Sequence, residues 1–251
     1  MTPERSGSFR IPVLYEDNHV IAIVKPPGVP SQEDETGDPD VLTLVKADLK
    51  ERYAKSGNVF LGLVHRLDRP VGGVMLLAKT SKAASRLSES VRSRSFAKSY
   101  LAVTDGVPRA QAGSLRHYLR KDARTNTVTA FAEPAPDAKE ALLDYRTAAA
   151  SGGRALVAVR LHTGRPHQIR VQLAAIGCPL AGDRKYGERR EAGKAGADIA
   201  LWSAYVGARH PVTKEWLSLR ALPDRQGFWK LWSPEQLALA GGVFTGERHD
   251  V

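Results

Sequence analysis

The chain has a single cysteine, Cys178, among its 251 residues. An internal disulfide needs two, and one lone thiol suits a reducing compartment, so a cytoplasmic protein is expected. Cys178 lies in Gly177-Cys178-Pro179-Leu180 with no obvious base beside it, which favours a buried structural thiol. Long apolar runs are missing too. None approaches the roughly 20 residues of a membrane span, and the polar residues 1–9 contain no signal-type segment and are expected to be flexible. A phosphate-loop glycine motif, a dinucleotide fingerprint, a C-x-x-C pair and internal repeats are all absent. His65, His162 and His167 show no close metal-ligand spacing, so no metal site is expected. Acidic residues are the remaining shortage: 27 Asp plus Glu against 37 Lys plus Arg, a formal net charge of +10. That excess favours a polyanionic partner, nucleic acid ahead of membrane because no basic amphipathic anchor is present.

The 42% of hydrophobic residues are enough for a core. The chain is organised around residues 63–79. An apolar run ends in the charged loop His65-Arg66-Leu67-Asp68-Arg69, the pair Gly72-Gly73 reverses the chain, and a second apolar run follows. Asp68 lies between Arg66 and Arg69, and nearby cations favour an ionised carboxylate. An ionised aspartate on a short, stiff loop suits nucleophilic or general-base chemistry. The same pattern also describes an aspartate that merely caps a turn.

Elsewhere, residues 11–30 read as a hairpin turning at Asp17-Asn18 and stopped by Pro26-Pro27. Asp40 caps a helix through Leu42, Leu44, Val45, Leu49 and Tyr53. Thr80-Ser81 cap another over residues 82–94, with Ala83, Ala84, Leu87 and Val91 inward and a basic outer face. Residues 96–103 form a strand, 120–124 a basic loop and 127–131 a strand. Hairpins follow at 141–161 and 200–221. Pro166 suits the first position of a helix ending at Gly177, with Ile169, Leu173 and Ile176 as its stripe. Residues 189–194 read as a charged loop. Successive hairpins with interspersed helices predict one α+β domain over residues 10–224, built on a mixed, largely antiparallel sheet. Beyond it, Trp229 and Trp232 pack back, and residues 240–251 form a flexible tail.

Three stretches, in this order, resemble the RluA family of RNA pseudouridine synthases. They are the H-R-L-D of His65 to Asp68, the K-x-Y-x-A around Tyr100, and a T-G-R-x-H-Q-I/L-R pattern from Thr163 to Arg170. Tyr15 to His19, Lys25 to Gly28 and Pro179 to Gly187 match further family patterns; the last is read as structural and RNA-facing. The chain departs at Val71-Gly72-Gly73, where Thr-Ser-Gly is common, and at Pro166, where Thr is common. The resemblance covers residues 11–222 and implies a catalytic domain alone, without the small S4-type RNA-binding domain of many relatives. It implies a sheet flanked by helices and loops, a central catalytic cleft, and isomerisation of uridine to pseudouridine in ribosomal or transfer RNA, without a cofactor and as a monomer. Asp68 is then the catalytic residue, attacking C1′ or removing the 2′ proton. Arg170 pairs with it, Tyr100 stacks on the uracil and assists loss of the C5 proton, and Ile169 lines the pocket. Arg66 occupies the place of the flipped base, and His65 and Arg165 contact RNA. Two rivals are a catalytically silent RNA-binding or ribosome-assembly protein on this fold, and an N-glycoside hydrolase. The hydrolase needs paired carboxylates, and the three motifs supply no second acid.

Overall fold

The computed structural model describes residues 10–187 and 199–245; the expected flexible terminus at 1–9, the charged loop at 189–194 and the tail beyond 245 lie outside them. Asp17 makes the first turn. Its carboxylate accepts the backbone N–H groups of His19 and Val20 at 2.7 and 2.8 Å, joining β1 (Val13–Glu16) to β2 (Val20–Lys25). The chain continues through α1 (Val41–Arg52), β3 (Gly62–Leu63), β4 (Gly72–Ala78), α2 (Ser81–Arg92) and β5 (Ala97–Asp105). Next come β6 (Ala112–Asp122), β7 (Thr127–Phe131), β8 (Lys139–Ser151), β9 (Arg154–Leu161) and α3 (Gln168–Ala175). It closes with β10 (Leu201–Arg209), β11 (Trp216–Arg220), a 3₁₀ turn at Gly227–Leu231 and α4 (Pro234–Gly242). The expected caps form: Asp40 accepts from Thr43 N–H, and Thr80 from Ala83 N–H.

The strands make one eleven-stranded sheet in the order β1-β2-β4-β10-β5-β9-β8-β6-β7, with β3 on β4 and β11 on β10. This is the α+β architecture, mixed and largely antiparallel, that the sequence predicts. β4 is buried at all seven positions, and its period of two sends side chains to two different cores. Met75 and Leu77 pack with Val45 and Leu49 of α1 and Leu173 of α3. Val74 and Leu76 pack with Ala83 and Leu87 of α2. A third cluster joins Leu101 and Val103 of β5 to Trp232 and to Leu237 of α4. No helix among the described residues is long and apolar enough to cross a membrane.

Four expectations need correction. Gly72 and Gly73 begin a strand, and the reversal is made by residues 64–71. They are small because β10 runs parallel to β4 there, pairing Trp202 with Gly72 and Ser203 with Gly73. An added Cβ would stand 2.4 Å from the Trp202 ring at Gly72 and 2.2 Å from Ser203 O at Gly73, whose φ is +118°. Arg120, Lys121 and Asp122 belong to β6, so the loop shrinks to residues 123–126; a half-exposed, polar strand hides its alternation. Helix α3 begins at Gln168, because Pro166 and His167 form a turn, closed by Gln168 N–H to Arg165 O at 3.3 Å, in which His167 takes a left-handed conformation (φ 50°, ψ 21°). The domain also continues past 224: Trp232 and Ala240 are buried and α4 runs through Gly242, where a tail is predicted. Trp232 does pack back, and Cys178 is buried, its thiol pushed up by that burial.

The β4–β10 seam yields a stability prediction. Gly73→Ala meets both a backbone clash and a disfavoured φ, and we expect a loss of about 3 kcal/mol or more. Gly152→Ala, with φ +57° but open space around it, should cost only about 1 kcal/mol. Urea midpoints at matched slopes test this; equal losses would mean the seam tolerates a methyl group.

Candidate active site

Asp68 lies on the reversal between β3 and β4, which is held from below by residues 25–31. Lys25 is fully buried, and its ammonium donates to the carbonyls of Pro26, Val29 and Arg69 at 2.9, 2.7 and 3.0 Å. The Ser31 hydroxyl donates to Leu67 O at 2.7 Å and accepts Leu67 N–H at 3.2 Å. Gly28 N–H also reaches Arg69 O, at 2.9 Å. The residues on both sides of Asp68 are therefore tied to one neighbouring segment. A buried ammonium persists only with acceptors around it, so the Lys-Pro-Pro-Gly stretch does more than stop a strand.

The two arginines beside Asp68 in sequence do not flank its carboxylate. Arg69 turns to the acidic segment 34–38, bonding Thr36 and pairing with Asp38 and Asp34. Arg66 is exposed, its guanidinium 3.5 Å from Gln32. The cation that does reach Asp68 is Arg170 of α3, at 3.2 Å from Oδ2, as the motif resemblance implies. Arg170 is itself held more firmly by Asp183, through Nε–Oδ2 and Nη2–Oδ1 bonds of 2.8 Å each. Asp183 Oδ1 further accepts the N–H groups of Lys185 and Tyr186 at 2.9 and 3.2 Å. Burial would raise the Asp183 carboxyl, but Arg170 and these amides outweigh it and hold it below its ordinary value. Burial likewise opposes the Arg170 charge, and the two carboxylates overcome it, raising that group.

The reading of Pro179 to Gly187 as RNA-facing is thus corrected in its centre. Asp183 is buried and anchors the arginine of the site. The G-D-x-x-Y-G spacing signals the turn that Asp183 caps, but nothing local could identify a partner 13 residues upstream.

Tyr100 on β5 and Ile169 in the first turn of α3 are both buried and line the same cleft as Asp68. Burial first, and the Asp68 charge second, push the Tyr100 phenol well above its ordinary range, with the Ser203 hydroxyl opposing. Tyr100 therefore keeps its proton at neutral pH and offers a stacking face and a hydroxyl, not a phenolate base. His65, expected to touch RNA, is instead buried. Its Nε2 accepts Leu76 N–H at 3.0 Å and its ring lies 5.1 Å from Phe96. Burial, then Lys98, push that imidazole down to about 3, so it braces β4 as a neutral ring. Arg165 donates to Glu140 O at 2.9 Å from the cleft wall. The cleft has a volume of about 1240 Å³ and takes basic residues from separate elements: Arg92 and Arg94 at the end of α2, Lys121 of β6, and Lys185 beside Asp183.

Sequence reasoning assigns no role to His167 and Tyr186, yet both meet the site. His167 Nε2 is 3.9 Å from Asp68 Oδ2, its Nδ1 is 2.7 Å from the Tyr186 hydroxyl, and the Tyr186 ring lies 5.2 Å from the Arg170 guanidinium carbon.

Asp183→Asn conserves volume but removes the charge that holds Arg170. Breaking such a buried pair costs roughly 3 kcal/mol or more, and denaturant titration at pH 7 should show it. Because the folded-state Asp183 pKa is depressed, its contribution is complete above the unfolded value of about 3.9 and is lost as pH falls through the folded value. The gap between wild type and variant should therefore hold from pH 7 to about 5 and narrow below about 4. A gap independent of acid pH would rule out the ion pair as its source.

The chain matches known proteins in both sequence and fold. A family model described as RNA pseudouridylate synthase matches residues 19–175. Ribosomal large subunit pseudouridine synthase D of Xylella fastidiosa is 36% identical over 217 residues, covering 85% of this chain and 64% of that protein. Ribosomal large subunit pseudouridine synthase C of Salmonella typhi is 33% identical over 225 residues, covering 85% and 67%. The chain thus spans about two thirds of the length of these relatives, and slightly less for the first. In fold, it resembles human RNA pseudouridylate synthase domain containing 4, with a TM-score of 0.72 at 24% identity over 90% of this chain and 93% of the other. The human domain containing 1 protein gives a TM-score of 0.71 at 21% identity, covering 97% and 98%. The matched segment runs from the β1–β2 turn to the end of α3 and so includes both Asp68 and the arginine that holds it: the chain belongs to the RNA pseudouridylate synthase family.

Proposed function

We propose that this protein converts uridine to pseudouridine in RNA, with Asp68 acting at the ribose. The C1′–N1 bond breaks, the uracil turns within the cleft, and C5 bonds to C1′; C5 gives up a proton and N1 gains one, so the product is an isomer. The observation that carries this reading is the asymmetry of Asp68. Its Oδ2 faces Arg170, no hydrogen bond reaches Oδ1 among the described residues, and the side chain is 31% exposed to the cleft. One oxygen is held and the other is available to react. Tyr100 gives the base a face to stack on, and Ile169 an apolar wall. With the base seated against buried Tyr100 and Ile169, less water would reach a ribosyl intermediate, which would otherwise be hydrolysed.

A stacked or paired uridine cannot reach this depth, so it must be flipped out at a cost of a few kcal/mol. Phosphate contacts from the basic cleft residues help to offset this, and exposed Arg66, two residues before Asp68, fills the vacated place. The substrate we favour is large-subunit ribosomal RNA, ahead of transfer RNA, because the two relatives above are named for that subunit.

Mapping of pseudouridine in ribosomal RNA treated with the protein tests this directly. Wild type should modify a small set of uridines, and Asp68→Asn should modify none while binding the RNA within about twofold, since the amide conserves shape. Turnover by the Asn variant would remove Asp68 from its role. RNA binding without conversion by wild type would favour the silent RNA-binding reading. Binding should also weaken linearly on a log–log salt plot, with a slope of about −3 if four or five phosphates are contacted. A flat response would count against the basic cleft as the RNA site.

A further inference from the structure

His167 occupies an unusual place in this site. It is the residue before α3, in a left-handed conformation that costs a residue with a Cβ roughly 1–2 kcal/mol. That conformation turns its ring inward, to 11% exposure, between Tyr186 and Asp68. The Tyr186 hydroxyl also accepts the backbone N–H of Val128 on β7 at 2.8 Å.

These contacts fix where the protons lie. A phenol has one proton to give and two lone pairs, and one lone pair is taken by Val128 N–H. If Tyr186 donates to His167 Nδ1, every group is satisfied, and the imidazole proton sits on Nε2, facing the Asp68 carboxylate. In the other tautomer the phenol proton loses its acceptor and the Nε2 lone pair opposes Asp68 Oδ2. The surroundings of the ring favour its neutral form. Burial first, with Arg170, Lys185 and Lys121, pushes the imidazole below its ordinary value, against Asp68. At 3.9 Å the Nε2–Oδ2 contact is longer than a hydrogen bond, and catalytic contacts of this kind tighten in the substrate complex.

We propose that His167 is a positioning residue for Asp68. The β7 backbone and Tyr186 lock its ring as the Nε2–H tautomer, which closes on Oδ2 alongside Arg170 when RNA binds and so leaves Oδ1 as the reacting oxygen. The chain of contacts begins in the β6–β7 hairpin, whose Lys121 lines the cleft. RNA seated on that hairpin and the aim of Asp68 therefore share one backbone N–H. The role assigned to His167 rests on the pseudouridine synthase reading; the tautomer does not.

Two measurements on the full chain test it. In ¹⁵N-histidine spectra at pH 7, the His167 ring, assigned by its loss in His167→Asn, should show protonated Nε2 and bare Nδ1, and Tyr186→Phe should mix the tautomers. An Nδ1–H ring or an imidazolium in wild type overturns the proposal. In single-turnover assays with saturating RNA, His167→Asn, which tolerates the left-handed backbone but cannot reach Asp68, should slow pseudouridine formation about tenfold with RNA affinity within twofold. His167→Gln, whose amide nitrogen can replace Nε2, should recover to within about threefold of wild type. Equal rates for wild type and the Asn variant, or no recovery by a folded Gln variant, overturn the proposal. No pseudouridine from wild type defeats the functional reading, while the spectra still decide the tautomer.

Discussion

One buried guanidinium holds the site together. Arg170 meets Asp183 through two parallel bonds and Asp68 through one, and the two carboxylates differ in everything else. Asp183 has no side-chain exposure, and its oxygens take two guanidinium and two backbone N–H groups. Asp68 is nearly one third exposed and keeps an oxygen without a described donor. A forked guanidinium fixed by one bidentate partner points its remaining N–H in a set direction, so Asp183 aims Arg170 and Arg170 aims Asp68. The second acid that a paired-carboxylate hydrolase needs is therefore close at hand but unusable. Arg170 and two backbone amides outweigh the burial that opposes its charge, and a group held that way has no proton to give at neutral pH.

The loop that presents Asp68 owes its stiffness to bonds that a neighbouring segment makes to its backbone rather than to its own side chains. Lys25, Ser31 and Gly28 tie residues 67 and 69 from one side. On the other, Val71 is buried in the core and Gly72 lies under Trp202. This accounts for the departure at Val71-Gly72-Gly73: apolar packing occupies the place where the family pattern would put hydroxyls. Pro166 similarly costs little, since it sits before the helix in the turn it shares with His167, where no N–H is needed for the helix ladder.

Much of the fold is legible because local chemistry decides it. Asp40 and Thr80 cap helices wherever a side-chain oxygen meets free N–H groups, and β4 reads as a strand from its apolar run alone. The pairing of Asp68 with Arg170 spans 102 residues; motif resemblance reaches it, and spacing could not. What stays hidden depends on burial that polar residues conceal. Lys25 and His65 look like surface groups until their acceptor and donor partners are known, Arg69 finds its carboxylates across a loop, and Asp183 finds Arg170 from a different element. β6 and α4 are missed for opposite reasons, one too polar to show its alternation, the other ending in a glycine pair that suggests a tail.

The register of the sheet explains why fold and site cannot be separated. Ser203 of β10 pairs with Gly73 on one side and Tyr100 on the other, and its hydroxyl donates to Val74 O at 3.0 Å. The exit of the Asp68 loop and the cleft-lining Tyr100 are thus two strand spacings apart, about 10 Å, across a single residue. That distance is set by backbone hydrogen bonds, which do not adapt as side chains do. Bulk added at Gly73 would displace β10, and β10 would carry Tyr100 with it. A change on the cleft rim, such as at exposed Arg66, alters the cleft's surface and leaves this spacing alone. The geometry of the site is therefore most exposed to substitutions at the seam, among residues that do not line the cleft.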